Sequence, residues 1–193
     1  MTADEWVKRA LAEPDPMTAL EHTERALELD ENHARAHLCR GRILSMQLKQ
    51  HAEALPHLKH AFENIQSAEA HVSLAVCLAA LERNDDARRV LNRCLALFPD
   101  ELPAWMVRAG LMNLEGRLDE ALRDLDEVIE RSPDHALAWY NRACYLALSG
   151  AKEKALAALG NAIEFKPSTR EEARDDPDFE PLHGDARFEK LVG

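Results

Sequence analysis

The sequence repeats itself every 34 residues, and that period constrains the fold more than any other feature. Pro99, Pro133 and Pro167 keep this spacing, as do Trp105 and Trp139, Gly116 and Gly150, and the series Gly41, Ala75, Ala109 and Ala143. Ala87, Ala121 and Ala155 share it, and so do Cys94, Val128 and Ala162. Independent coincidences do not produce so many matched positions. Cut at this period, the units run 34–67, 68–101, 102–135 and 136–169.

In the unit 136–169, Trp139, Ala143 and Leu146 share one helical face in the first half, and Ala155, Leu159 and Ala162 share one in the second. Apolar residues three and four apart predict two amphipathic helices per unit. Ser149-Gly150 separates them. Pro167 ends the second helix, because proline has no N–H to continue the backbone ladder. Small residues let the two helices approach closely, and Trp or Leu fills the remaining space. Composition agrees with an all-α chain. Aromatics are only 5% of the residues, and the abundant Ala, Leu, Glu and Arg lose little side-chain freedom on a helix.

Trp139, Ala143, Leu146, Ala155, Leu159, Ala162 and Pro167 together resemble the tetratricopeptide repeat, or TPR. Unit 102–135 matches through Trp105, Ala109, Ala121, Leu125 and Pro133. Unit 68–101 keeps Ala75, Leu78, Ala87, Leu91 and Pro99, with His71 at the tryptophan position and Arg83-Asn84 where a glycine turn is usual. In unit 34–67, Gly41 and Leu44 are in phase, yet Ala54 and Ala61 come one residue late. This predicts one extra residue in the turn near Gln50 and one fewer near Gln66. Residues 1–33 read as a truncated hairpin, with DEWVKRALA as a short first helix and Ala19, Leu20 and Ala26 on the second. The tail 170–193 resembles an end segment that closes bacterial TPR arrays. Its Asp176-Pro177 and Asp185 suit helix starts, and Phe179, Leu182, Phe188 and Leu191 would form the apolar face of a cap.

The resemblance implies an all-α, right-handed α-solenoid of TPR helix-turn-helix hairpins, acting as a non-enzymatic protein-interaction module. Its first helices would line a groove through Leu38, Arg42, Val72, Val76, Met106, Asn113, Tyr140, Asn141 and Cys144. Most of these positions are apolar. The expected partner is therefore another protein or peptide that presents an apolar segment or helix. The alternative is a structural subunit that uses the groove for self-association in a homo-oligomer or for docking in a larger complex; the competing reading of the apolar stripe itself is partial burial by the chain's own tail or by a second copy. The carboxylate clamp of some TPR proteins needs Lys, Asn and Arg on successive first helices. Here those positions hold Leu38, Arg42, Ser73, Pro103 and Val107 in one frame, and Val72, Val76, Val107, Leu137 and Asn141 in the next.

Charge and motif content narrow the classes further. The chain carries a net charge of −11. Even its most basic unit, 34–67, has only Arg35, Arg40, Arg42, Lys49 and Lys59 against Glu53 and Glu63, so nucleic acid is not an expected partner. No glycine-rich phosphate loop occurs, and no cofactor is expected. Asp85-Asp86 and Asp119-Glu120 sit near the starts of second helices, where the helix dipole favours acids. Cys39, Cys77, Cys94 and Cys144 form no C-x-x-C pair and read as reduced, buried apolar residues. His51, His57 and His60 share one hairpin, and His57 with His60 could face one metal ion. No further ligand completes that set in the sequence, so no metal is expected. His33 and His37 are four apart but straddle a unit boundary. The N-terminus, with Asp4 and Glu5, has no apolar run suited to a signal or a membrane span, so no membrane insertion and a cytoplasmic location are the expectation.

Overall fold

The computed structural model describes residues 1–193 as twelve α-helices with two irregular helical turns and no strand. The chain divides into two compact units, Met1–Ala104 and Trp105–Gly193.

In the first unit, α1 (Ala3–Ala12) packs on α2 (Pro16–Leu29), α3 (Ala34–Arg42) on α4 (His51–Asn64), and α5 (Ala68–Ala80) on α6 (Asn84–Leu97). Local chemistry starts these helices. Thr2 and Glu5 form a reciprocal capping box on α1, Asp15 caps α2 ahead of Pro16, and Ser67 caps α5. The small positions of the period mark close approaches. A Cβ added to Gly41 would lie 2.6 Å from Leu58 Cγ, and Ala54, Leu58 and Ala61 are fully buried. His71 takes the tryptophan position with its ring buried edge-on to Phe62, at 4.7 Å between centroids, and its Nδ1 donates to the Ser67 carbonyl at 2.8 Å.

The inter-helix turns locate the irregularity of the second hairpin. Between α5 and α6 the Arg83 N–H reaches back five residues to the Leu78 carbonyl, and Glu82 adopts φ 58°. The left-handed residue is thus Glu82, one position before the Arg83-Asn84 pair suggested by the sequence. Between α3 and α4 the Gln50 N–H reaches back six residues to Leu44, and Lys49 takes φ 59°. The extra residue enters upstream of Lys49. Ile43–Gln47 forms a π-helical turn closed by the Leu48 N–H on the Ile43 carbonyl at 3.1 Å, so the insertion widens the end of α3 and not the turn at Gln50. The missing residue falls between α4 and α5, where only 65–67 link the helices.

The second unit contains most of α7 (Leu102–Leu114), then α8 (Leu118–Arg131), α9 (Ala136–Leu148) and α10 (Lys152–Phe165). Gly116 at φ 73° and Gly150 at φ 79° occupy the turns equivalent to Glu82. Arg108 of α7 makes a bidentate pair with the buried Asp124 of α8, both bonds at 2.8 Å, while its guanidinium lies 4.8 Å from the Trp105 ring centroid. Arg142 of α9 donates to Asp126 of α8 at 2.8 Å.

The tail forms α11 (Thr169–Asp175), a 3-10 turn over Pro177–Leu182, and α12 (Ala186–Val192). Asp176 accepts the Asp178 N–H and Asp185 accepts the Arg187 N–H, each at 2.9 Å, as caps of the turn and of α12. Phe179, Leu182 and Phe188 are buried as the apolar face requires; Val192, and not Leu191, supplies its last buried residue. The 3-10 turn packs on α9, and α11 and α12 touch α10. All four cysteines are free and buried. No helix is long and apolar enough to cross a membrane.

Candidate functional site

A groove opens in the first unit between the first helices α1, α3 and α5. Its cavity of about 320 Å³ is floored by Val7, Leu11, Leu38, Cys39 and Ile65, and rimmed by Asp4, Lys8, Arg35, Arg42, Ser67 and Glu69. A second cavity of about 260 Å³ continues it along the end of α1 and the π-turn, sharing Leu11, Cys39 and Arg42 and adding Ala10, Glu13, Ile43, Met46 and Gln47. The π-turn therefore shapes the groove directly: its Met46 is 50% exposed, beside Leu11 at 64%. Both are large apolar side chains left in water at one place.

Charges at the rim are arranged unevenly. Asp4 is engaged by His33 Nε2 at 3.3 Å, and Arg42 is paired with Glu69. Lys8 and Arg35 are exposed and held by neither an ion pair nor a hydrogen bond. Burial pushes the Cys39 thiol up to about 11, so this sulfur is protonated at neutral pH and offers no thiolate nucleophile.

The other expected groove residues distribute as follows. Leu38 and Arg42 line the groove just described. Val72 and Val76 are half-buried on α5, and Met106 and Asn113 are half-buried on α7. Tyr140, Asn141 and Cys144 lie on α9, and the chain's own tail packs on the first and last of them. Tyr140 donates its hydroxyl to Asp176 Oδ2 at 2.6 Å, its ring meets Phe179 edge-on at 5.5 Å, and Cys144 Sγ approaches the same carboxylate oxygen at 3.9 Å. Tyr140 and Cys144 thus hold the cap and are committed within the molecule.

Cys144, Asp176 and Asp178 bring one donor atom each within 4.8 Å of one another, a set that could ligate a cation. Each already serves the cap: Asp176 starts the 3-10 turn and accepts from Tyr140, and burial pushes the Cys144 thiol far up and Asp178 upward. Among the histidines the structure assembles a different trio from the one the sequence suggested. His37 Nδ1 bonds His57 Nδ1 at 2.8 Å, and the His37 and His60 rings stack with centroids 4.0 Å apart. His51 points elsewhere, to Ser45 Oγ at 3.0 Å. His37 Nε2 and His60 Nε2 are tied to the carbonyls of Glu31 and Asn32, so the trio pins the α2–α3 connection to the second hairpin. His37 lies twenty residues before His57, which hides it from any reading of local spacing.

Paired helices of 34-residue period, closed by a packed terminal segment, define a helical-repeat solenoid. The tetratricopeptide repeat family models match residues 45–111 and 115–177, and the chain belongs to that family. Among solved structures it is similar to YrrB, described as a TPR protein with an unusual peptide-binding site, at 30% identity, with 79% of this chain and 78% of that one covered and a TM-score of 0.64. It shares its fold with TTC0263, a thermophilic TPR protein of Thermus thermophilus, at 20% identity over 99% of both chains and a TM-score of 0.72. MamA from Desulfovibrio magneticus RS-1 gives 14% identity over 86% of this chain and 96% of that one, with a TM-score of 0.75. No curated protein sequence matches significantly. The TPR fold makes the chain a protein-protein interaction module.

Proposed function

We propose that the protein is a non-enzymatic adaptor that receives an apolar peptide or short helix in the groove between α1, α3 and α5. The observation that carries this reading is the contrast between two first-helix faces. On α9, Tyr140 and Cys144 are covered by Phe179 and Asp176, whereas in the first unit Leu11 of α1 and Met46 of the π-turn stay in water beside cavities of about 320 and 260 Å³, with Leu11 lining both. Apolar surface gathered around a concavity is characteristic of binding sites. The likeness to YrrB, a protein with a peptide-binding site, supports the same direction. Val72 and Val76, half-buried on α5, would extend the surface along that helix.

Selecting a displayed peptide library on the full chain, and repeating the selection on Leu11→Glu, tests this. Peptides captured by the wild type and lost on the variant, whose side chain is mostly exposed and whose melting is unchanged, are the expected result. Light scattering that shows a dimer broken by Leu11→Glu would instead give the groove to a second copy.

A further inference from the structure

We infer that the occupant of the α1–α3–α5 groove carries an acidic residue a few positions before a large apolar one, an inference that rests on the groove reading above. The molecule contains its own template for such a ligand. The segment Asp176–Leu182 lies on α9 with the Phe179 ring against Tyr140 and the Asp176 carboxylate against Tyr140 Oη and Cys144 Sγ. This is one worked instance, in this chain, of a short segment seated on a first-helix face. Three periods earlier, Tyr140 corresponds to Leu38 and Cys144 to Arg42. Both line the open groove. A segment seated on α3 in the same manner sets its apolar ring over Leu38 and its carboxylate beside Arg42.

The charges agree with this transfer. On α9 the seated carboxylate meets the Tyr140 phenol and the Cys144 thiol; on α3 the phenol's place is taken by Leu38, which donates nothing, and the thiol's by the Arg42 guanidinium, which would be the carboxylate's donor. Arg42 is paired with Glu69, but an arginine has donors for two carboxylates. Lys8 and Arg35 stand uncommitted on the same rim. The acids of the same lining are each engaged, Glu69 by Arg42, Asp4 by His33 and Glu13 by the Asp15 N–H, so the uncommitted charges at the rim are the two cations. Acids outside the groove oppose an acidic ligand little, because at physiological salt charges farther apart than about 8 Å are largely screened.

The test is fluorescence anisotropy on the full chain. Its probe is a labelled peptide of residues 174–184, RDDPDFEPLHG, compared with a second in which every Asp and Glu is replaced by Asn and Gln. The acidic probe should bind, the neutral one roughly tenfold more weakly, and Lys8→Glu with Arg35→Glu should cost the acidic probe roughly tenfold, while Lys154→Glu changes nothing. Equal binding of both probes, abolished by Leu11→Glu, overturns the acidic preference and leaves the groove reading standing. Binding insensitive to both Leu11→Glu and the Lys8/Arg35 pair shows the probe exchanging with the segment on α9 and overturns the inference. So does an acidic probe that fails to bind, whatever the peptide library yields.

Discussion

Tyr140 and Asp176 are joined by a hydrogen bond of 2.6 Å from phenol to carboxylate across thirty-six residues of sequence, and this bond fastens the terminal segment to α9. Burial, followed by the Asp176 carboxylate, holds the phenol protonated far above its ordinary range, so the donor persists at any physiological pH. Hydrogen bonds to charged groups contribute about 1.5–3 kcal/mol. Tyr140→Phe should therefore lower the melting temperature while leaving helical content intact. Phe179→Ala, which empties a fully buried site, should cost about 3–5 kcal/mol and expose residues 170–193 to limited proteolysis. Equal protease resistance of Phe179→Ala and wild type would show that the segment is held by other contacts.

The alanines of the period are set by space. Ala109 and Ala155 are fully buried, and a longer charged side chain at either must both displace neighbours and lose its hydration. Ala109→Arg or Ala155→Asp should cost several kcal/mol, on the order of the whole folding stability. Far-ultraviolet circular dichroism at room temperature is the check; a wild-type spectrum and melt for either variant contradicts the packing described.

Glu82 adopts the left-handed conformation that its counterparts Gly116 and Gly150 adopt without strain. A side chain there costs about 1–2 kcal/mol. Glu82→Gly should raise the melting temperature, and Gly116→Ala should lower it by a comparable amount, although neither changes a packed contact. Thermal melts of the two variants together separate backbone strain from the side-chain effects that either one alone would mix in.

The histidine trio makes stability depend on pH. Burial first, then the charges of His37, Arg40 and His60, push His57 down from 6.5 to about 4, and burial lowers His37 as well despite the Glu31 carbonyl and Asp30. A base whose folded pKa is depressed binds its proton more readily in the unfolded chain. The stabilisation is complete above 6.5 and is lost as pH falls toward 4. Urea melts from about pH 7.5 down to about pH 4 should show this decline, and His57→Gln should flatten it. An unchanged slope in that variant would assign the decline to carboxylates elsewhere.

Much of this structure was legible because sequence period and helix geometry agree. Trp139, Ala143, Ala155 and Pro167 implied two helices, their contact and their stop, since each depends on neighbours three or four residues away. The one-residue phase slip of Ala54 and Ala61 was legible as well, but not its position, because a π-turn and a longer loop delay the next helix equally. Other features depend on partners remote in sequence. Nothing near His57 points to His37, and nothing near Tyr140 shows that its hydroxyl is reserved for Asp176. At the candidate site, Leu38 and Arg42 were readable from the period. Lys8 and Leu11 were not, because the truncated first hairpin is too far from the repeat pattern to assign a groove-facing side.

The π-turn at Ile43–Gln47 and the short link at 65–67 are related as a frameshift is to its restoring mutation. One adds a residue, the other removes one, and between them α4 runs one register late while α5 and everything after it return to frame. Ile43, Met46 and Gln47 of the displaced stretch line the groove. An array of identical units can thus give one unit a different inner surface by a paired change in length, without touching the phase that its neighbours need to stack.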